Sequence, residues 1–509
     1  MKDILGSLVD LAQRLSTLLF LPVRTVLGRF HRRRHTLTQA RAAHPESYPP
    51  LPPPWSADNR WFPGGCPPRA RNELVPLIHG VEYFTDLVAE LQTAQQRVTI
   101  CEWCLTPLMA LLRENREGAD ILADALRQVS QRVQVYVLLW SGAPSLFEPT
   151  THMVKEAQET LLHVAPLVEC RLDHRAAFSH DHHQKAVTID GRVAYVGGID
   201  LTTFQGDRWD TAQHPLRFGP NWHDVQARIR GEAVQDVEEN FCQRWNAVTG
   251  EHLQPLPAPE PDPAWLTPVQ VVRTVPAGFY PFAPNGEYGI AHAYLTALRR
   301  AERFIYLENQ YLWSPEIVDA LIEAMNRPHN GPFRIAVVLP ARAYSGKYDN
   351  DEHVRRLNAV DAGRGIFHAY SIYAHGPAFG KTGYRYLPIY VHAKVAIVDD
   401  QWLTIGSANL NGRGLATDTE MNVQAVDPAV ARALRVRLWA EHLGMTLDEV
   451  AAADPSALID GPWKAVSSRM AAAVHARSIP PGGQAFPYTP GANPGSRAMD
   501  VLESLTLEH

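Results

Sequence analysis

The sequence of 509 residues predicts an α/β protein made of two duplicated halves, and three observations carry that prediction. The first is a small polar cluster that occurs twice. HHQKAVTID (182–190) and VHAKVAIVDD (391–400) share the spacing His, one residue, Lys, four residues, Asp. The second is their register. His183 and His392, Lys185 and Lys394, and Asp190 and Asp399 are each separated by 209 positions. Gly197 and Gly406, Gly198 and Ser407, and Asp200 and Asn409 keep the same offset, so the chain repeats itself internally. The third is the pattern ahead of each cluster. VEYFTDLVAELQTAQQRVTICEW (81–103) and EYGIAHAYLTALRRAERFIYLEN (287–309) both pair an amphipathic helix with a β-rich run. RVQVYVLLW (132–140) and FRIAVVLP (333–340) both read as short buried strands.

Proline marks the joints. SYPPLPPPW (47–55) closes an N-terminal amphipathic and basic arm, giving an arm and spacer over 1–70 and a first half over 71–252. LQPLPAPEPDPAW (253–265) reads as a stiff linker over 253–268, followed by a second half over 269–460. IPPGGQAFPYTPGANPGS (479–496) lies in a C-terminal tail, 461–509, part of which is expected to be disordered.

In the arm, Ile4, Leu8, Leu11, Leu15, Leu18 and Leu19 recur at helical spacing, broken by Asp10, Gln13 and Arg14 and followed by Arg29, Arg32, Arg33 and Arg34. That pattern suits a helix lying on an anionic membrane surface. A helix docked on the protein's own core is the alternative, as is a signal peptide, which the internal charges disfavour. No charge-free apolar run of 18 residues suggests a spanning helix. The expected location is cytoplasmic or peripheral to a membrane, with secretion left open.

Composition is that of a globular protein, 45% hydrophobic and 20% charged, with a net charge of −6. There is no overall basic field of the kind that grips nucleic acid. The five cysteines form an odd, scattered set, which disfavours a disulfide framework. Cys101 and Cys104 make one CxxC inside VTICEW; buried apolar cysteine is the expected reading, against a zinc or redox pair.

The clusters and their surroundings resemble the phospholipase D superfamily, from about Asn72 to Gly444. GGIDLTTFQGDRWD (197–210), NWHDVQARIRGEAVQDVEENFCQRWN (221–246), FIYLENQYLW (304–313), GSANLNGRGLATDTEMN (406–422) and LRVRLWAEHLG (434–444) are similar to its eukaryotic-type branch. The resemblance implies two phospholipase D-like halves, each a mixed sheet flanked by helices. They would pack as a pseudo-dimer about a twofold axis, with one active site at the seam. A monomer is plausible because both half-sites lie in one chain.

Elementary chemistry agrees with that implication. Two histidines on opposite sides of a phosphodiester supply a nucleophile and a general acid, which split one hard displacement into two easier ones. Strand alternation points His183 with Lys185, and His392 with Lys394, into one space. Lysine holds the non-bridging oxygens as charge builds. Gly198, Asp200, Ser407 and Asn409 are expected around the phosphate, with glycine allowing close backbone approach.

Carried over from the family, His183 is the nucleophile and His392 the acid that later activates water or an alcohol. Glu420 matches the acid that orients the histidine of its own half. Asp210 is the nearest first-half counterpart, one residue short of the same offset. Asp190 and Asp399 belong to the motif but are expected to brace loops rather than react. Trp222, His223 and Asp224 also match the family, with packing and hydrogen bonding as their expected role and substrate contact as the alternative. No role is assigned to Glu308.

SHDHH (179–183) could instead be a metal cluster. Neighbouring strand residues face opposite ways, however, and the family needs no metal or other cofactor, so none is expected and His180 and His182 read as structural. The expected function is a phosphodiesterase that hydrolyses a phosphatidylcholine-like glycerophospholipid to phosphatidic acid and free alcohol through a phosphohistidine intermediate, with transphosphatidylation possible. The expected partners are that lipid and, through the arm, a membrane surface. The alternative is a phosphatidyltransferase such as a cardiolipin or phosphatidylserine synthase. An inactive membrane-binding scaffold is disfavoured because both clusters are complete. A nuclease is disfavoured by the acidic balance.

Overall fold

The structure is a computed structural model and describes residues 61–491, apart from 114–119, 144–147, 177–179, 218, 344–346, 379–382 and 481. Residues 1–60 of the arm and 492–509 of the tail lie outside the described residues.

The first half contributes β1 (Asn72–Ile78), β2 (Arg97–Glu102), β3 (Gln134–Trp140), β4 (Glu169–Asp173), β5 (Ala186–Ile189), β6 (Val193–Gly197), β7 (Asn221–His223) and β8 (Val225–Gly231). The second contributes β9 (Val269–Val275), β10 (Glu287–Tyr288), β11 (Phe304–Asn309), β12 (Arg334–Val338), β13 (Phe367–Pro377), β14 (Tyr384–Val391), β15 (Lys394–Val398), β16 (Trp402–Gly406), β17 (Glu420–Ala425) and β18 (Ala485–Pro487).

One sheet runs β1-β8-β6-β5-β2-β3-β4. The other contains β9-β17-β16-β15-β11-β12-β13, the same succession of connections, which makes the duplication visible in three dimensions. Both sheets are mixed: β2–β3–β4 and β11–β12–β13 pair in parallel, while β2–β5 and β11–β15 are antiparallel. Strands buried on both faces need no polar alternation, and RVTICE in β2 and KVAIV in β15 are buried at every position.

The two sheets face each other. One apolar core joins Val196, Ala227 and Ile229 of the first to Leu403, Ile405 and Val423 of the second. Two helices occupying equivalent places close it, α1 (Val234–Thr249) with Phe241 and Trp245, and α2 (Pro428–Leu443) with Leu438 and Trp439. Separate apolar layers cover the outer face of each sheet.

The limits of α2 are written locally. The Asp427 carboxylate accepts from the Ala429 and Val430 amides, and Pro428 opens the first turn. Gly444 ends the helix at φ 63°, where a side chain would be strained.

The halves are interlocked beyond the expected boundaries. β7, from the first half, joins the second sheet by pairing in parallel with β14, with Trp222 opposite Tyr390 and His223 opposite Val391. Residues at the end of the spacer reach the second half, where the Arg69 amide bonds the Val269 carbonyl at 2.8 Å. Part of the tail is structured among the described residues, including Ala485–Pro487 inside the stretch expected to be disordered. A helix covers Lys464–Ala476, and β18 pairs with β13, so a proline-rich stretch gains an edge position that needs few backbone donors. Cys101 and Cys104 are buried free thiols, each pushed up to about 11 by burial.

Candidate active site

Each motif histidine stands just before a central strand, and each segment is pinned by the opposite half. The His183 amide donates to the Thr419 carbonyl at 2.9 Å, and the His392 amide donates to the His223 carbonyl at 2.8 Å. The strands that follow, β5 and β15, occupy equivalent central positions in their sheets. The two imidazoles and both lysines share one electrostatic environment at the seam, His183 feeling Lys394 and His392 feeling Lys185.

The orienting acids cross. His183 Nδ1 lies 2.9 Å from Glu420 Oε1, so Glu420 serves the histidine of the other half and not His392 as the sequence suggested. His392 Nδ1 lies 2.6 Å from Asp224 Oδ2. Asp224 therefore takes the place expected of Asp210. Asp210 is turned away. Its carboxylate accepts from the Trp222 amide at 2.8 Å and lies 3.1 Å from His214 Nδ1 and from Arg217 Nη2. A signal for Asp224 existed in strand register. Gly197 pairs with Gln226 as Gly406 pairs with Asn422, which makes Asp224 and Glu420, each two residues earlier, equivalent.

A proton donated from Nδ1 to a carboxylate leaves the Nε2 lone pair free, which is the tautomer a nucleophile requires. Burial holds both imidazoles well below the ordinary histidine range. Lys185 adds to the effect at His183, and Lys394 at His392. Burial also pushes Lys394 down to about 7 and Asp224 up to about 6.

The lysines are held differently. Lys185 Nζ donates to the His183 carbonyl at 2.9 Å and sits 3.1 Å from Asp200 Oδ1. Lys394 Nζ donates to the His392 carbonyl at 2.5 Å and to Gln310 Oε1 at 3.2 Å, so no carboxylate contacts it directly among the described residues. Asp200, expected at the phosphate, pairs instead with Lys185 and with Arg208 at 3.2 Å, and its negative charge suits that position better than an anion site.

Ser407 is likewise committed. Its hydroxyl donates to Glu420 Oε2 and accepts from the Met421 amide at 3.0 Å, which helps hold the Glu420 carboxylate in place. Gly198 is required by close approach, since a Cβ there would come within 2.2 Å of the Asp224 carboxylate. Asn409 is buried in the loop after Ser407. Trp222 packs on His392 with ring centroids 4.9 Å apart, and Trp103 meets His183 edge-on at 5.9 Å.

Asp190 and Asp399 brace loops. Asp190 accepts from the amides of Gln95, Gln96 and Arg97 at 2.7–3.0 Å, and Asp399 from those of Glu302, Arg303 and Phe304 at 2.7–2.8 Å. The histidines of 180–183 diverge. His182 lies 3.1 Å from Asp173 while its neighbour His183 turns to Glu420. Glu308 bonds His223 and His442, each at 2.8 Å, within a buried network that sequence reasoning missed.

Two family models match the chain in tandem. One, described as Phospholipase D, covers residues 90–221, and the other, described as Cardiolipin synthase, PLD-like domain, covers 294–441. Phospholipase D1 of Schizosaccharomyces pombe is 25% identical over 503 residues, covering 76% of this chain and 36% of that protein. Phospholipase D alpha 1 of Carica papaya is 26% identical over 535 residues, covering 74% of this chain and 66% of that protein. The chain thus spans between about a third and two thirds of these relatives' lengths. Among solved structures, phosphatidylserine synthase of Haemophilus influenzae matches with a TM-score of 0.47 at 12% identity, covering 79% of this chain and 89% of that one. With both motif segments matched in order and curated relatives aligned over three quarters of its length, the chain belongs to the phospholipase D superfamily, in its eukaryotic-type branch.

Proposed function

We propose that this protein is a phospholipase D-type phosphodiesterase that cleaves glycerophospholipids to phosphatidic acid and a free alcohol. The observation that carries the reading is a pair of imidazoles at one seam, each with Nδ1 held by a carboxylate and each beside a lysine. The names of the relatives support the substrate class.

His183 Nε2 attacks phosphorus, and His392 gives its Nε2 proton to the departing alkoxide, leaving a phosphohistidine and a free alcohol. Lys185 and Lys394 face the non-bridging oxygens, whose charge must be held as the five-coordinate state forms. His392, now neutral, takes a proton from water. The resulting hydroxide displaces His183 and releases phosphatidic acid. An alcohol in place of water gives transfer instead of hydrolysis.

The arm is the proposed route to the bilayer, as a peripheral helix; no helix among the described residues is long and apolar enough to cross a membrane. Mass spectrometry of products from mixed liposomes, with and without glycerol, tests the function. Phosphatidic acid in water and phosphatidylglycerol with glycerol are the expected products. Release of diacylglycerol, or of no lipid product, would sink the reading.

A further inference from the structure

Behind the His392 strand lies a second cluster that the proposed chemistry does not use. Its centre is the Glu441 carboxylate on α2. Oε2 lies 2.9 Å from His79 Nε2, while Oε1 lies 3.2 Å from His214 Nε2 and 3.6 Å from His223 Nδ1. We propose that His79, His214, His223 and Glu441 bind one zinc-class divalent cation that clasps the two halves together.

The size and chemistry of the donor set fit. All four ligand atoms lie within 4.8 Å of one another, and a tetrahedral zinc with bonds of about 2.0–2.1 Å would draw them in to about 3.4 Å. Three imidazole nitrogens and one carboxylate oxygen are a zinc-type set. Four protein ligands leave no open position, which marks a structural site and not a catalytic one.

The surroundings fit as well. Ligating histidines characteristically give their second nitrogen to a carboxylate. His223 Nε2 lies 2.8 Å from Glu308 Oε2, and His214 Nδ1 lies 3.1 Å from Asp210 Oδ2. His442 in turn holds Glu308 at 2.8 Å.

A hydrogen-bonded network alone accounts for less. His223 Nδ1 is buried and faces Glu441 Oε1 at 3.6 Å, too long for a good hydrogen bond. A metal between them would take both as ligands. His79 and His214 also hold left-handed backbone, at φ 67° and 43°, conformations that persist where the surroundings over-determine them.

The position gives the ion a purpose. Three ligands come from the first half and Glu441 from the second, while the His223 carbonyl accepts the His392 amide. The clasp would fix the strand that presents one catalytic histidine without touching substrate.

The test uses the full chain, purified without metal-affinity resin. Elemental analysis should find about one zinc per chain. After removal of metal by a chelator, cobalt(II) should give the intense visible absorption of a tetrahedral site, saturating at one equivalent, and zinc should raise the melting temperature. Glu441→Gln and His79→Gln should lose the ion. Asp210→Asn should weaken affinity about 10- to 100-fold, and His163→Gln, at an exposed position outside the cluster, should not. Metal-free wild-type protein that binds no zinc, and melts identically with and without it, overturns the proposal without needing any variant to fold. Zinc binding that survives Glu441→Gln but is lost with His183→Ala places the ion at the active site and also overturns it.

Discussion

Glu420, on the second half, holds Nδ1 of His183, on the first, at 2.9 Å across the seam. Glu420→Gln should therefore slow formation of the phosphohistidine by ~10²-fold or more, the scale of an oriented acid–base partner. Asp224→Asn should spare that step for a substrate with a good leaving group and slow breakdown of the adduct. Rapid-quench detection of the phosphorylated enzyme separates the two. A Glu420→Gln protein that forms adduct at the wild-type rate would return Glu420 to His392.

The two imidazoles should separate in the same assay. With a nitrophenyl-type leaving group, which needs no proton, His392→Ala should still accumulate an adduct and His183→Ala should not. Both variants should fail to turn over natural lipid, because residues that act as one unit lose nearly all rate together. Peptide mapping that finds phosphate on His392 would exchange the assigned roles.

Burial pushes Lys394 down to about 7, so the free enzyme loses this positive charge as pH rises through neutrality. kcat/KM on a soluble short-chain lipid should fall above about pH 7, and Lys394→Arg should move that limb upward. The stability effect has the opposite sense. Above about 7 the folded lysine is neutral while the unfolded one, with a pKa of about 10.4, still binds a proton, so the unfolded state binds more and stability rises with pH. Lys394→Met should stabilise the fold at acidic pH and do little at strongly alkaline pH, as read by chemical denaturation.

Asp399 is a motif residue whose carboxylate accepts from three loop amides. Asp399→Ala would leave three amides without their acceptor and place alanine at φ 58°, so a loss of about 2–4 kcal/mol is expected. Turnover per folded molecule should stay near normal at low temperature. A large fall in kcat with unchanged stability would mean that Asp399 acts on the site directly.

Deleting residues 1–45 should weaken binding to anionic liposomes while sparing hydrolysis of soluble lipid. High salt should mimic part of that loss by screening arginine. Insolubility of the truncated protein, or lost activity on soluble lipid, would assign the arm to the protein's own core.

Much of this was legible in the sequence because the duplication is written at constant spacing. The 209-residue offset aligned both His–Lys pairs, and the matching order of both sheets follows from it. The partners of those pairs were less legible. Beyond Asp200 and Asn409 the two halves carry loops of different length, so an offset that held for β5 and β15 pointed to Asp210 when strand register points to Asp224. Which half an acid serves depends on how β7 threads into the second sheet, and spacing along the chain carries no such information. The His79, His214, His223 and Glu441 cluster is scattered over more than 360 positions, beyond the reach of any local pattern.

The crossed acids also speak to ancestry. If the halves descend from one smaller protein, its histidine could have found an acid only on a second copy, so the ancestor worked as a symmetric pair. Joining the copies in one chain removed the requirement that they stay identical. One side now presents glutamate and the other aspartate. One lysine faces a carboxylate and the other a glutamine. A symmetric pair has two equivalent histidines and must choose a nucleophile by chance at each encounter; a fused chain can assign the labour permanently.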